Sequence, residues 1–361
     1  MNSYLSPLAQ NLVPYVPGEQ PTDRRYIKLN TNENPYPPSP AVAPAVERIL
    51  REGSLRKYSR PECEPLRELV AQQQGFPSKD YVYFANGSDE VLAFCFAAFF
   101  AGRQEPVRFA DITYSFYPVY CDLFSIPYRQ VPLRDDLTLA VSDYAGPGGG
   151  IVIANPNAPT ALALTEGELR DLIASHPQEV VVVDEAYAAF SGRSCAAWVM
   201  EYPNLIVTRT LSKSHALAGL RVGYCMAQPH LIEGVQRVKN SFNSYSVDAL
   251  AQAAAYESLS DQAYYHKATD RVIATRERFM ERLRKMGFYG PASQANFVFQ
   301  AHPAFSGAEL AAALRQESIL VRHFARPERI EPYLRITIGT DEEMEQVAAA
   351  LERILARGGI K

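Results

Sequence analysis

The sequence predicts an α/β protein with a large domain built on a mostly parallel sheet and a smaller α+β domain. Between about residues 41 and 252, short apolar runs alternate with helical patterns, which is typical of βαβ units. From about residue 253 a long charged helical stretch runs to Met286, and short strands and helices follow it. The first forty residues are rich in Pro, Asn and Tyr and show little periodicity. We therefore expect an N-terminal arm (1–40) packed on the small domain (253–361), and a large domain (41–252).

Apolar runs and capping signals predict the individual elements. The four valines from Val180 to Val183 are typical of a strand buried on both faces, as in a parallel sheet. Thr165 and Glu168 form a capping-box pattern that predicts a helix to about Ala174. Strands are also predicted at Tyr81–Phe84, Ile151–Ala154 and Leu205–Val207, and in the small domain at Asn296–Gln300, Ile319–Arg322 and Leu334–Ile338, with helices at Gly307–Glu317 and Glu342–Ala356.

Composition limits the class of protein. A chain of 361 residues with 47% apolar residues can form about two domains with a substantial core. The net charge of −4 argues against nucleic acid or an anionic membrane as a main partner. The longest apolar stretch, Val91–Ala101, is too short to span a bilayer, and no signal peptide is apparent. The cysteines at 63, 95, 121, 195 and 225 have no paired or metal-binding spacing, so we expect a cytoplasmic protein without a metal site.

The segment around Lys213 carries the clearest chemical signal. Lys213 stands among small and hydroxyl residues after an apolar strand, where a lysine can lose its proton and form a Schiff base with a carbonyl. Thr210, Ser212 and Arg221 supply donors suited to a phosphate. A carbonyl and a phosphate on one ligand indicate pyridoxal 5′-phosphate. Taken alone, the motif is also compatible with a solvated lysine on a loop.

Two upstream strand ends fit the same ligand. Asp184 follows the valine run, at the carboxyl end of a strand, where open α/β sheets bind ligands. A carboxylate there can keep the pyridine nitrogen of the cofactor protonated. Tyr187 and Asn157 could donate hydrogen bonds to its phenolic oxygen. Each residue also has a simpler interpretation: a strand-end carboxylate facing water, a packing tyrosine and an ordinary Asn-Pro turn.

A turn between a strand and a helix offers an anion site. Residues 86–90 (Asn-Gly-Ser-Asp-Glu) link the strand at Tyr81–Phe84 to the apolar run that begins at Val91. The first amides of a helix are free to bind an anion, and Gly87 lets the backbone approach closely. An ordinary Ser or Asp N-cap is equally compatible with this pattern.

Together these motifs resemble the fold-type-I pyridoxal-phosphate aminotransferases, and most closely the histidinol-phosphate aminotransferase family. The resemblance covers nearly the whole chain. Its motifs occur in the family order: Leu29-Asn-Thr-Asn-Glu-Asn34-Pro35, Asp184-Glu-Ala-Tyr187, Thr210-Leu-Ser-Lys213, Ala218-Gly-Leu-Arg221 and Leu334-Arg335-Ile-Thr-Ile-Gly-Thr340.

The resemblance implies a role for each cofactor-site residue. Lys213 would hold pyridoxal phosphate and then move a proton between Cα and C4′, with Asp184 and Tyr187 as further catalytic residues. Tyr114 would stack on the pyridine ring, although an aromatic residue at a helix start is also compatible with simple core packing. Asn157 would contact the phenolic oxygen. The phosphate would be held by Gly87, Ser88, Thr210, Ser212 and Arg221.

A homodimer is also implied by the resemblance. Tyr58 would reach the phosphate of the neighbouring subunit's cofactor. The sequence departs from the family pattern here, because two residues separate Tyr58 from Pro61 where relatives often have Tyr-Pro. A second departure is Ala158 and Ala161, in a segment that relatives write as Asn-Pro-Asn-Asn-Pro-Thr-Gly.

Four residues are implied to bind substrate: Tyr15, Asn34, Arg322 and Arg335. Arg335 would bind the α-carboxylate of glutamate and would face the phosphate of histidinol phosphate. Arg322 and Tyr15 match the phosphate side of the family's site. For both arginines, a surface salt bridge with Glu328 or Glu331 is the alternative.

The resemblance implies transamination between glutamate and imidazole-acetol phosphate, which gives histidinol phosphate and 2-oxoglutarate. An aromatic amino-acid aminotransferase would reuse Arg335 for its carboxylate. A threonine-phosphate decarboxylase would also need arginines for a phosphate. A pyridoxal-phosphate-binding regulator without turnover is the alternative from another class, and the intact set of Lys213, Asp184, Tyr187 and Arg335 argues against it.

Overall fold

The computed structural model describes residues 4–358, so the ends of the predicted arm and small domain lie outside the described residues. Within this range no helix combines the length and apolarity that crossing a membrane requires. The strands are β1 (Ile27–Lys28), β2 (Val82–Ala85), β3 (Val107–Ala110), β4 (Tyr128–Val131), β5 (Gly150–Ala154), β6 (Val181–Asp184), β7 (Leu205–Thr210), β8 (Gly223–Ala227), β9 (Phe297–Ala301), β10 (Ile319–Leu320), β11 (Arg322–His323) and β12 (Tyr333–Thr337). The helices are α1 (Pro7–Asn11), α2 (Val42–Arg51), α3 (Glu64–Gln74), α4 (Ser88–Phe99), α5 (Phe116–Phe124), α6 (Glu166–Ala174), α7 (Pro229–Phe242), α8 (Ala249–Ser260), α9 (Gln262–Lys285), α10 (Gly307–Gln316) and α11 (Asp341–Ala356).

A seven-stranded sheet in the order β2-β8-β7-β6-β5-β3-β4 forms the centre of the large domain. Strand β8 runs antiparallel to its neighbours β2 and β7, and the other strand pairs of the sheet are parallel. The predicted α/β fold with a large, mostly parallel sheet is therefore confirmed.

The valine run shows how this sheet positions the site. Side chains alternate along a strand. Val181 and Val183 accordingly pack in the hydrophobic cluster on one face of the sheet, and Val182 packs in the cluster on the other. Asp184 ends β6 in register with Ala154 of β5 and Thr208 of β7. The strand thus delivers one carboxylate to the carboxyl edge of the sheet.

The smaller sheet has the order β11-β12-β9 and is antiparallel throughout. The expectation of one continuous strand at Ile319–Arg322 is wrong. Ile319 and Leu320 are buried and pair in parallel with Ile27 and Lys28 of β1, whereas Arg322 begins β11 and pairs with β12. The segment divides between two strands, because its apolar residues are buried beside β1 and its basic residues pair with β12 in the small sheet.

The charged stretch predicted as one helix to Met286 forms two helices, and the prediction is wrong in this respect. Helix α8 ends at Ser260, and Asp261 begins α9 by accepting the Tyr264 N–H at 3.1 Å. The predicted boundary between residues 252 and 253 falls inside α8, whose buried alanines pack in the large-domain core. We propose that the domains divide at Asp261.

Candidate active site

A cavity of about 180 Å³ lies where β5, β6 and β7 end and α4 begins. It brings together side chains that are far apart in the sequence, as expected for the carboxyl edge of a parallel sheet. The predicted site residues among its lining are Ser88, Tyr114, Asp184, Tyr187, Thr210, Ser212, Lys213 and Arg221.

Lys213 lies in the loop that follows β7. Its Nζ donates a hydrogen bond to the backbone oxygen of Thr31 at 3.1 Å. Burial lowers the pKa of Lys213 to about 8, and the positive charge of Arg335 adds to the effect. About a tenth of this amine is therefore neutral at pH 7, far more than for an ordinary lysine, and a neutral amine can attack an aldehyde.

Asp184 is buried and accepts three hydrogen bonds. Tyr117 OH donates to Oδ2 at 2.9 Å, and Thr208 Oγ1 and the Ala186 N–H donate to Oδ1 at 3.1 and 3.2 Å. Burial raises the pKa of this carboxyl to about 6, although the hydrogen bonds act in the opposite direction. The carboxylate is thus charged at neutral pH and suited to a protonated ring nitrogen.

The start of α4 fits a phosphate. Gly87 has φ +86°, and a Cβ there would lie 2.7 Å from Nη2 of Arg221. A Cβ on Gly223 would lie 2.3 Å from the Ser88 nitrogen. Val91 is the first residue of this turn whose N–H bonds back within the helix, to Gly87 O at 3.3 Å, so the preceding amides of the turn have no intrahelical partner and can bind an anion.

A carboxylate that the sequence analysis treated only as a helix cap connects two predicted site residues. Asp89 accepts a hydrogen bond from Tyr114 OH at 2.7 Å through Oδ1 and one from Arg221 Nη2 at 3.1 Å through Oδ2. Arg221 also donates to Ser212 Oγ at 3.3 Å. Asp89 therefore connects the ring of Tyr114 to Arg221 and Ser212, which are predicted to bind the phosphate. Its position at the start of a helix was the only sequence signal for this role.

Tyr187 and Asn157, both predicted to contact the phenolic oxygen, occupy different positions. Tyr187 lines the cavity, and its OH accepts a hydrogen bond from Asn32 Nδ2 at 2.9 Å. Asn157 lines a neighbouring cavity of about 210 Å³. Its Nδ2 donates to Ile112 O at 2.9 Å and to Thr160 Oγ1 at 3.0 Å. The cofactor contact of Asn157 stays a prediction.

A second cavity of about 160 Å³ adjoins the first and shares Thr31, Tyr114, Ala158, Tyr187 and Lys213 with it. Its remaining lining includes three predicted substrate-binding residues, Tyr15, Arg322 and Arg335. Tyr15 packs on Phe116 with 4.7 Å between the ring centroids.

The two arginines stand opposite each other on β11 and β12. The ring of Phe324 lies 5.6 Å from the Arg322 guanidinium carbon and 5.4 Å from that of Arg335. Arg335 Nη2 donates to Asn30 O at 2.9 Å, and its buried Nε has no partner in the described chain. Burial lowers the pKa of Arg335, with the Arg322 charge as a further cause.

The salt bridges that offered an alternative role for these arginines do not form. Glu328 pairs with Arg326 at 2.6 Å, and Glu331 lies 3.6 Å from the His323 ring. Within residues 4–358, neither Arg322 nor Arg335 has a carboxylate within 4.0 Å. A cavity with two arginines and no acidic partner is suited to an anion.

The segment from Leu29 to Asn34 contacts both cavities. It is anchored to the small sheet, because the Thr337 N–H donates to Leu29 O at 3.0 Å. Its side chains and carbonyls then reach residues of both ends of the site: Asn30 O with Arg335 Nη2, Thr31 O with Lys213 Nζ, Asn32 Nδ2 with Tyr187 OH, and Asn34 Nδ2 with Lys213 O at 2.9 Å. Asn34 thus supports the backbone of the lysine and lines neither cavity, and its contact with substrate stays a prediction.

Tyr58 lies away from the cavities of its own chain. It is 83% exposed and stacks on Tyr245 with 4.5 Å between the ring centroids. Its predicted contact with the cofactor of a neighbouring subunit is untested by a single chain.

Comparison with known proteins agrees with this geometry. The model of the family "Aminotransferase class I and II" matches residues 24–351. Histidinol-phosphate aminotransferase of Acetobacter pasteurianus is 49% identical over 360 residues, covering 100% of both chains. That of Acinetobacter baylyi is 50% identical over 351 residues, covering 97% of this chain and 96% of the relative.

The chain belongs to the histidinol-phosphate aminotransferase family. A solved structure agrees in fold: histidinol-phosphate aminotransferase from Sinorhizobium meliloti, in complex with pyridoxal-5′-phosphate, superposes with a TM-score of 0.84 at 24% identity. That likeness covers 98% of each chain. The resemblance inferred from the motifs is confirmed.

Pyridoxal phosphate is the cofactor of these aminotransferases, and the residues present fit it. Because Gly87 has no side chain, the Arg221 guanidinium can lie against it at the predicted phosphate end. The pKa of about 8 leaves part of the Lys213 amine neutral for the aldehyde. Asp184 presents a buried carboxylate to the same cavity for the ring nitrogen. The three groups match the three ends of the cofactor.

Proposed function

We propose that this protein transfers an amino group between glutamate and imidazole-acetol phosphate, giving 2-oxoglutarate and histidinol phosphate in histidine biosynthesis. The observation that carries the substrate assignment is the pair Arg322 and Arg335, which share a cavity with Lys213 and have no acidic partner in the described chain. The names of the full-length relatives support the same reaction.

Pyridoxal phosphate, when bound, supplies an aldehyde for amines and a pyridinium ring that withdraws electrons from the bond to be broken. Asp184 holds the proton on the ring nitrogen, and its buried position strengthens this charge pairing. Tyr187 would donate a hydrogen bond from its hydroxyl to the phenolic oxygen while accepting one from Asn32. Thr210, Ser212 and Arg221, with the first amides of α4, bind the phosphate.

Lys213 moves the proton. Once the incoming substrate amine has displaced it from the cofactor, the neutral Lys213 amine would take the proton from the substrate Cα and return it to C4′ of the cofactor. The lowered pKa suits both directions, because an amine with a pKa of about 8 is a competent base and a competent acid near neutral pH. Asn34 donates to the backbone oxygen of Lys213 at 2.9 Å and so fixes the main chain from which the lysine side chain extends.

The arginine pair accommodates two substrates in turn. Arg335 binds the α-carboxylate of glutamate with its planar guanidinium. When histidinol phosphate occupies the site, Arg322 and Arg335 together face its phosphate, and Tyr15 covers that end of the cavity. The Phe324 ring lies within cation–π distance of both guanidinium groups and stabilises their charges.

We further propose a homodimer in the cytoplasm. Tyr58 lines an open cavity of about 530 Å³, away from the active site, together with Ile49 and Tyr256. Large apolar side chains of nearby segments are exposed, among them Leu50, Leu55, Phe242 and Tyr245. Exposed apolar surface of this kind commonly marks an interface. A second copy seated there would bring Tyr58 to its neighbour's cofactor phosphate.

The test is a single-turnover half-reaction of the cofactor-loaded protein. The protein is mixed separately with histidinol phosphate, glutamate and phenylalanine, and the visible absorbance of the lysine-bound cofactor is followed. Fast loss of the band with histidinol phosphate and glutamate, but slow loss with phenylalanine, is expected. Fast reaction with phenylalanine and slow reaction with histidinol phosphate would instead indicate an aromatic amino-acid aminotransferase. Release of carbon dioxide from threonine phosphate would indicate a decarboxylase.

A further inference from the structure

Helix α5 carries a tyrosine whose hydroxyl reaches Asp184, a carboxylate that lines the cofactor cavity. Tyr117 is fully buried, and its OH donates to Asp184 Oδ2 at 2.9 Å. Tyr114, one turn earlier, points to Asp89 instead. From the sequence alone, Tyr117 is indistinguishable from a tyrosine that only packs in the core, because it lies on an apolar helix.

The carboxylate of Asp184 has nearly all its hydrogen-bonding positions filled. An ionised carboxylate offers about four lone-pair positions. Tyr117, Thr208 and the Ala186 N–H take three of them, two on Oδ1 and one on Oδ2. One position therefore remains, on Oδ2, the oxygen that Tyr117 holds. A ring nitrogen carrying one proton needs a single acceptor.

The Tyr117 ring is held so that its hydroxyl cannot turn away. Phe109 and Tyr114 meet it nearly edge-on, with centroids 5.7 and 5.6 Å away, and Phe96 lies 6.1 Å away on a roughly parallel face. Burial, with the Asp184 charge as the next cause, raises the pKa of Tyr117 well above its usual value. The hydroxyl therefore stays a donor across the pH range of catalysis.

We propose that Tyr117, assisted by Thr208, is a positioning residue that keeps Asp184 ionised and directs its remaining lone pair at the cofactor's ring nitrogen. The inference rests on the proposed transamination. Without these donors, a carboxyl this deeply buried would favour its neutral form. A neutral Asp184 could not hold the ring proton, so the ring would withdraw electrons less strongly.

Other groups that face Asp184 do not replace this role. Asp89 of α4 is an anion and opposes ionisation. Tyr120 of α5 gives its hydroxyl to Asp89 O at 2.9 Å. Tyr187 is bonded to Asn32. Tyr117 is thus the tyrosine of the described chain whose hydroxyl reaches this carboxylate.

The test compares Tyr117→Phe with Tyr120→Phe in the cofactor-loaded protein. Both substitutions remove one buried hydroxyl from the same helix and keep the ring. The readouts are the ¹⁵N chemical shift of the cofactor's labelled ring nitrogen and the pH midpoint of the visible band. In Tyr117→Phe we expect a ring nitrogen less protonated at neutral pH and a midpoint raised by about one pH unit, because a less positive ring leaves the lysine-bound nitrogen more basic. Tyr120→Phe should keep the wild-type values.

A second variant tests the same role if the Tyr117→Phe protein does not fold. Thr208→Val removes another donor to Asp184 without losing volume, and it should shift both readouts in the same direction. In the variants that fold, kcat should fall about tenfold while KM for glutamate changes little. Unchanged ¹⁵N shifts and midpoints in the folded Asp184-donor variants, or an equal shift in Tyr120→Phe, would overturn the role of Tyr117. Wild-type protein without a visible band would overturn the proposed function and this inference together.

Discussion

The two ends of the active site differ in how their charged groups are partnered. At the cofactor end, Asp184 accepts three hydrogen bonds, and Asp89 joins Tyr114 to Arg221. At the substrate end, Arg322 and Arg335 face a cavity with no carboxylate beside them in the described chain. The difference matches the occupants. A resident cofactor can be met by a network in which one acceptor position of Asp184 is left for it, whereas a site for alternating anions must leave its cations available.

Lys213 belongs to both ends, and replacing it gives the largest expected effect. Lys213→Ala removes the amine that we propose attaches the cofactor and moves the proton. We expect the visible band to disappear and both half-reactions to slow by at least about 10³-fold. Stopped-flow spectroscopy with glutamate and with histidinol phosphate measures both. A band that survives this substitution would show that another amine holds the cofactor.

The same lysine should lower the free energy of unfolding of the cofactor-free protein. Its pKa falls from 10.5 unfolded to about 8 folded, so the unfolded chain binds more protons between these values and stability rises with pH there. In Lys213→Met this gain is absent. The stability difference between variant and wild type should therefore shrink by about 2–3 kcal/mol from pH 7 to pH 10. Urea unfolding of the cofactor-free proteins measures this stability difference. A difference that stays constant with pH would contradict the lowered pKa of the buried lysine.

The substrate end can be divided by its two arginines. Arg322→Ala should slow the half-reaction with histidinol phosphate by about 10- to 100-fold, as for a hydrogen bond to a charged group, and that with glutamate less. Arg335→Ala should slow both. Arg326→Ala is the control, since Arg326 is exposed and paired with Glu328. Equal slowing of both half-reactions in Arg322→Ala would show that this arginine does not bind the phosphate of the substrate.

The smallest effect is expected at the proposed subunit interface. Tyr58→Phe removes one hydroxyl and should weaken cofactor binding by about 2- to 10-fold, as for a single hydrogen bond. Tyr245→Phe keeps the stacked pair and serves as the control. Fluorescence titration with pyridoxal phosphate and sedimentation at several protein concentrations give affinity and oligomeric state. A monomer with wild-type affinity would show that each chain completes its own cofactor site.

Strongly patterned segments of the fold were predictable from sequence. The strand around Val181–Val183 and the capping box at Thr165 and Glu168 are confirmed, because local chemistry and tertiary packing agree there. The break between α8 and α9 was missed, because Asp261 becomes a cap only when the chain turns at that point. The division of Ile319–Arg322 between two sheets depends on β1, almost three hundred residues away, and no local pattern reports it.

The site shows the same limit. Residues that carry a family motif, such as Lys213 and Arg221, were found by spacing and lie in one cavity. Asp89, Tyr117 and Thr208 were missed, because their importance comes from a partner on another element. The Thr208 hydroxyl within β7 and the Tyr117 hydroxyl on α5 act together only because both donate to the carboxylate of Asp184.

The segment from Leu29 to Asn34 sets the working length of the active site. The Asn30 carbonyl accepts a hydrogen bond from Arg335, and the Thr31 carbonyl accepts one from Lys213. Neighbouring peptide units therefore fix the separation between the arginine and the lysine. Longer or shorter substrates of the same chemistry would need this spacer to change, even if every charged side chain stayed in place. A designer seeking a new chain length would therefore alter these six residues before the arginines.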